Sequence, residues 1–145
     1  MKLSRFLIIS CLVAVFSFFQ ALDISFIGVK PNFALIIIVV ASFFIADIWE
    51  GVFLVAIASL ILKFSPHLEK EILIFFATGV LIMVVGKYLP WHSIVSSLFL
   101  IAFYTLVFYL FLFPRFIFSV VFLEEIIYNL FIGGLTFVIL SRLKF

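Results

Sequence analysis

The sequence predicts an all-α integral membrane protein that forms a single polytopic domain over residues 1–145. Of its 145 residues, 68% are apolar and only 11% are charged, and the mean hydropathy is +1.53. The long runs, such as Phe33 to Ala46 and Ile94 to Phe113, are apolar on every side, whereas β-barrel strands alternate. Because lipid cannot satisfy an open backbone, these runs are expected to be helices.

Six apolar segments are separated by five breaks, four of which contain proline, which is typical of loops and helix starts. The segments run approximately from Phe6 to Leu22, Phe33 to Trp49, Gly51 to Leu62, Ile72 to Leu89, Ser93 to Phe113, and Glu124 or earlier to Leu140. A helix rises 1.5 Å per residue and needs about 20 residues to cross a core of about 30 Å, so the length limits the count to about six transmembrane helices.

The second and third segments are short for two crossings. Pro31 to Lys63 comprises 33 residues, about 50 Å as helix, whereas two crossings need about 60 Å and a turn. A tilted or recessed hairpin with its turn at 47–51, where Trp49 would lie at the interface, is favoured over one long helix. One long helix would give five crossings.

Positive charge at both chain ends predicts the orientation. Lys2 and Arg5 precede the first segment, and Arg142 and Lys144 follow the last, so both termini are expected in the cytoplasm and the number of crossings is expected to be even. The first apolar run is interpreted as a transmembrane helix and not as a cleaved signal, because its end lacks small residues at both cleavage positions.

One face of the first helix carries small side chains at steps of four, three and four. These residues are Ser10, Ala14, Ser17 and Ala21. Small residues let a second helix approach closely, which is a main source of association in lipid. The face is expected to pack on the protein's own helices or to dock a partner.

The last helix carries a polar or small face, formed by Glu125, Asn129, Gly133 and Thr136. Asn129 is expected to bond to another helix, because an unpaired polar group at membrane depth costs several kcal/mol. Glu124 and Glu125 are interpreted as acids at the start of this helix, favoured by its dipole. The alternative is that Glu125 is a functional carboxylate within the bilayer.

No catalytic set is recognisable, so an enzyme is not expected. His67 and His92 fall in different loops, on opposite sides of the membrane in the six-helix topology, which disfavours a zinc site. Asp47 and Glu50 share a turn and could bind a cation, but no further acid motif accompanies them. Cys11 is the single cysteine, and a net charge of +2 argues against nucleic acid binding. No metal or cofactor is expected.

The order of these features resembles the rod shape-determining MreD family. The matching pieces are Lys30-Pro31-Asn32-Phe33 opening one helix, Glu50-Gly51 opening the next, and Glu125-Ile126-Ile127-Tyr128-Asn129 opening the last. The family usually carries Asp at the position of Asn32. The resemblance implies a fold similar to the substrate-binding subunits of energy-coupling-factor vitamin transporters.

The resemblance also implies a non-enzymatic scaffold of the cell-elongation machinery in the cytoplasmic (inner) membrane. This scaffold binds an MreC-like protein and, through it, the RodA and transpeptidase pair that builds the cell wall. The candidate partner-binding residues are Ser10, Ala14, Ser17, Ala21, Glu125, Asn129 and Gly133. One alternative is a vitamin-transporter substrate-binding subunit with an outward pocket, for which Asn32, Asn129 and Tyr104 are the main polar groups outside the loops. The other is a small exporter that would use Glu125.

Overall fold

The computed structural model describes residues 3–25, 27–64, 69–89 and 94–143. Within these ranges the chain forms helices joined by loops and turns, with no β-strand. The helices are α1 (Leu3–Ala21), α2 (Phe33–Ser42), α3 (Ile48–Leu62), α4 (Glu69–Tyr88), α5 (Ile94–Leu112) and α6 (Val120–Arg142), with a 3₁₀ turn at Pro114–Phe116. The predicted all-α class is confirmed.

Four of the helices, α1, α4, α5 and α6, are long and apolar enough to cross a membrane. The other two are shorter, with 10 residues in α2 and 15 in α3. A 10-residue helix spans about 15 Å, which is half of a typical hydrocarbon core. Each of the six predicted segments contains one helix, while six full crossings stay a prediction.

Helix α2 lies at the centre of the bundle and contacts all five other helices. Its residues from Ile36 to Ala41 are fully buried, as expected for a helix that is apolar on every face. The surrounding helices direct large apolar side chains outward. Examples are Phe18, Phe53, Leu73, Phe111 and Phe131. A surface this apolar suits lipid or another helix.

The chain breaks between α2 and α3 earlier than predicted. Helix α2 ends at Ser42, and Asp47 caps α3 by accepting a hydrogen bond from the Trp49 amide (3.0 Å). The predicted turn at 47–51 is therefore wrong by about one helical turn, because the Asp47 side chain starts the helix there. The single long helix is also excluded. Trp49 remains 78% exposed, as an interfacial anchor would be.

Candidate functional site: a polar junction and cavity at one end of α2

Polar side chains from several helices converge at the N-terminal end of α2. Asn129 of α6 is fully buried. Its Oδ1 accepts a hydrogen bond from the Asn32 backbone N–H (3.0 Å), and its Nδ2 donates to Oγ1 of Thr105 on α5 (3.1 Å). Asn129 thus joins α2, α5 and α6, and the prediction that it bonds to another helix is confirmed.

Two more side chains complete the N-terminus of α2. The Asn32 side chain accepts a hydrogen bond from the Leu35 amide, and Oε1 of Gln20 on α1 accepts one from the Ala34 amide, both at 3.1 Å. Amides in the first turn of a helix have no acceptor within the helix. Here the acceptors come from the cap residue of α2 and from Gln20 of the neighbouring helix α1. We call the set Gln20, Asn32, Thr105 and Asn129 the polar junction.

Glu125 lies one helical turn before Asn129 and accepts a hydrogen bond from the Tyr109 hydroxyl of α5. Helix α6 starts at Val120, with Ser119 as its cap, so Glu125 is in the second turn. The interpretation of Glu124 and Glu125 as acids at the helix start is therefore wrong. The two differ in environment, because Glu124 is exposed whereas Glu125 is partly buried against α5.

A partly open cavity of about 640 Å³ adjoins the polar junction. It lies where α1 and α5 end, where α2, α4 and α6 begin, and beside the connection from α1 to α2. Its polar lining consists of Gln20, Asp23, Lys30, Asn32, Glu71, Tyr109 and Glu125. These side chains come from four helices, the cap of α2 and the loop before it, so the packing of the bundle determines the cavity.

The charges in the cavity do not cancel. Nζ of Lys30 lies 2.6 Å from Oδ2 of Asp23, and this is an exposed ion pair. Glu71 and Glu125 form no ion pair within the residues that the structure describes. Among those residues, no three His, Cys, Asp or Glu side chains converge closely enough to hold a metal ion. The described lining therefore carries two acids, Glu71 and Glu125, that no Lys or Arg neutralises.

The small face of α1 turns towards the protein's own helices. Ser17 is fully buried, while Ser10, Ala14 and Ala21 are partly buried, and α1 contacts α2 and α3. Close packing within the bundle accounts for this face. Contact between its partly exposed members and a partner stays a prediction.

The polar face of α6 also points inward. A Cβ atom on Gly133 would overlap Cδ1 of Ile101 on α5, so the absence of a side chain lets α5 and α6 approach. Thr136 is buried on the same face, one turn further along. Asn129 and Gly133, two of the predicted partner-binding residues, thus contact helices of this chain directly.

Sequence reasoning missed three of the lining residues, Gln20, Glu71 and Tyr109. It proposed Tyr104 as a pocket group, but Tyr104 is buried and does not line the cavity. The position of Gln20, an amide at the end of an apolar helix, was an available signal. The pairing of Tyr109 with Glu125 depends on how α5 packs against α6. His67 and His92 lie outside the described residues.

No protein-family model, curated protein or solved structure matches the chain. The resemblance to the MreD family stays a hypothesis.

Proposed function

We propose that this chain is a non-enzymatic membrane scaffold of the bacterial cell-elongation machinery, similar to the MreD family, which holds an MreC-like partner. The observation that carries the proposal is the contact between two segments of the resemblance. Asn32, in the first segment, and Asn129, in the last, are 97 residues apart and share a hydrogen bond of 3.0 Å. The two segments therefore form one structural unit.

This contact gives the short motifs a physical reason to occur together. The amide oxygen of Asn129 satisfies a backbone donor at the start of α2, so the last segment completes the helix that the first one opens. Apolar composition alone would not require an Asn at either position. The contact supports a likeness of fold, from which a likeness of function is inferred.

The polar groups of the junction act on one another, which fits a positional role. Thr105 accepts from Asn129 and donates to the Ile101 carbonyl (2.8 Å). A network whose members are mutual partners makes a bundle rigid and specifies its arrangement. A rigid bundle in turn offers a constant outer surface, which is what a scaffold has to provide.

Co-purification with an MreC-like protein tests the proposal. Ala14→Phe would place a large ring on the partly exposed edge of the α1 face, and we expect it to lower partner recovery severalfold. Val15→Phe is the matched control, because Val15 is the next residue and points outward. Equal recovery of the partner with wild type and Ala14→Phe would remove the α1 face from the interface.

Depletion of the protein in a rod-shaped host tests the cellular role. We expect rods to widen and round as the protein is lost, and wild-type protein supplied in trans to restore them. Unchanged cell width after full depletion would exclude a role in elongation.

The proposed location is the cytoplasmic membrane, with both termini in the cytoplasm and six crossings. Under this orientation the cavity opens on the outer side, because α1 ends there and α2 begins there. Reporter fusions to residues 1 and 145 check the orientation. Fusions that report opposite sides would exclude an even number of crossings.

A second candidate function, the substrate-binding subunit of a vitamin transporter, is favoured by the cavity. Its volume of about 640 Å³ lies in the range of small-molecule sites, and its lining is more polar than the sequence suggests. Calorimetry of the purified protein with riboflavin, thiamine and biotin at micromolar concentrations separates the two candidates. Saturable binding of one vitamin, together with no recovery of an MreC-like protein, would favour the transporter subunit.

A further inference from the structure

The cavity beside the polar junction has no free donors for an anion at the N-terminus of α2. Helix N-termini generally favour anions, because their first amides lack partners. Here the Ala34 and Leu35 amides donate to Gln20 and Asn32, and the Asn32 amide donates to Asn129. The helix end is therefore closed to an anionic ligand.

The charged side chains of the cavity favour a cation instead. Lys30, the only basic residue among the described residues of the lining, is neutralised by Asp23 at 2.6 Å. Glu71 has no hydrogen-bond or ion-pair partner among the described residues, and Glu125, which accepts the Tyr109 hydroxyl, has no ion-pair partner among them. A carboxylate can accept about four hydrogen bonds. The acids of α4 and α6 thus keep unused capacity that faces the same space.

Asn32 supplies an independent indication of a ligand. The residue is only 4% exposed and lines the cavity. Its Oδ1 is engaged by the Leu35 amide (3.1 Å), but its Nδ2 has no acceptor among the residues that the structure describes. This Nδ2 donor is open to the cavity and not enclosed by protein. A ligand that occupies the cavity can therefore supply its acceptor, next to the positive charge that the two acids favour.

We propose that this cavity binds a small organic cation, a primary ammonium group with a hydrogen-bond acceptor a few atoms away. The ammonium group lies between Glu71 and Glu125, and the acceptor receives the Asn32 Nδ2 donor. A free amino alcohol and the headgroup of phosphatidylethanolamine both carry this chemistry. The proposal rests on the cavity and not on the scaffold role, so the co-purification test and the binding test can fail separately.

Thermal unfolding of the purified full chain in detergent tests the free ligand. Ethanolamine is the probe, while ethylene glycol, which lacks the charge, and glycolate, which reverses it, are the ligand controls. We expect saturable stabilisation by ethanolamine alone. Glu71→Gln is expected to weaken it about tenfold, the loss of about one charge-assisted hydrogen bond.

Glu124→Gln is the matched protein control, because Glu124 is exposed beside Glu125 and does not line the cavity. We expect it to change the affinity less than twofold. Glu71→Gln is preferred to Glu125→Gln, because Glu125 has a structural partner in Tyr109, whereas Glu71 has none in the part of the chain that the structure describes.

A parallel measurement in nanodiscs tests whether the ligand is a lipid headgroup. If the ligand is a headgroup, phosphatidylethanolamine stabilises the wild type more than phosphatidylglycerol does, and Glu71→Gln removes the difference. Stabilisation by ethanolamine in detergent would indicate a free ligand, and either pattern supports the site. No cation-dependent stabilisation in both arms, or equal loss in Glu71→Gln and Glu124→Gln, would overturn the proposal and leave a cavity filled by water alone.

Discussion

The two ends of α2 are held by different forces. At the N-terminal end, side chains of α1 and α6 bond to its backbone, and a cavity of about 640 Å³ lies beside them. At the C-terminal end, the Ser42 hydroxyl bonds to the Val39 carbonyl of the same helix (2.7 Å), and the adjoining cavity is only about 10 Å³. Directional bonds hold the open end, and close packing holds the closed end.

The two ends of α2 therefore have different roles. Packing in lipid stabilises helices without selecting one arrangement strongly, whereas a hydrogen bond between particular side chains selects its partner. The end with such bonds is also the end with space for a ligand. We infer that the junction keeps the cavity open while the packed end anchors α2.

The largest expected effect is at the junction, with Asn129→Leu. The change removes the acceptor for the Asn32 amide and the donor to Thr105, so it leaves a buried backbone group unpaired. We expect the free energy of unfolding in mixed micelles to fall by about 2–3 kcal/mol. Ser141→Ala is the control on the same helix, since Ser141 is exposed and donates to the Val138 carbonyl of its own helix. A loss in Asn129→Leu no larger than in Ser141→Ala would show that packing alone determines both ends.

The packed end is tested by Gly86→Ala on α4. A Cβ atom on Gly86 would lie 2.9 Å from the Cβ atom of Ser42, and its next contact would be the Ser42 backbone oxygen at 3.7 Å. We expect a loss of about 1–2 kcal/mol, because crowding a packed site forces a shift. Gly134→Ala is the control, since its nearest neighbour, Leu98, is at an ordinary 3.6 Å, and it is expected to be neutral or slightly stabilising.

A double variant shows whether the Gly86→Ala effect is local. Adding Ser42→Gly removes the group that the new methyl meets, so the combined loss should be smaller than the sum of the two single losses. Strict additivity would place the strain elsewhere in the bundle.

A smaller effect is expected for Gln20→Met, which keeps the length of the side chain but removes the acceptor for the Ala34 amide. We expect a loss of about 1 kcal/mol, because Gln20 is only partly buried and water from the cavity can replace it. Gln20→Glu keeps the acceptor and should retain more of the stability than Gln20→Met. The opposite order would mean that the hydrogen bond contributes nothing.

The helical class and the inward face of α6 were predictable from the sequence, because lipid imposes them locally. Apolar runs must be helices, and a residue such as Asn129 must find a partner. The position of the α2–α3 turn was not predictable from hydropathy, since a single cap, Asp47, moved it within an apolar stretch.

The candidate site was less predictable than the fold. Its lining brings together residues that are far apart in the sequence, such as Gln20 and Glu125. Helical periodicity within one segment cannot reveal that such residues are neighbours. Asn32, Glu125 and Asn129, polar residues beside or within apolar runs, pointed to the right end of the bundle. The remaining lining residues are determined by the helices that surround α2, and their arrangement depends on packing between all six helices.

The smallest effect on stability is expected for Lys30→Met, at the rim of the open end. The side chains of Lys30 and Asp23 are 59% and 68% exposed, and such pairs contribute at most about 1 kcal/mol. The same change frees the Asp23 carboxylate and makes the cavity more negative, so ethanolamine should bind more tightly than to wild type. Lys70→Met is the control, because Lys70 is exposed at the start of α4 and does not line the cavity. Weaker ethanolamine binding in Lys30→Met, with Lys70→Met unchanged, would mean that the lysine itself contacts the ligand, and the sign of the charge proposed for the ligand would then be wrong.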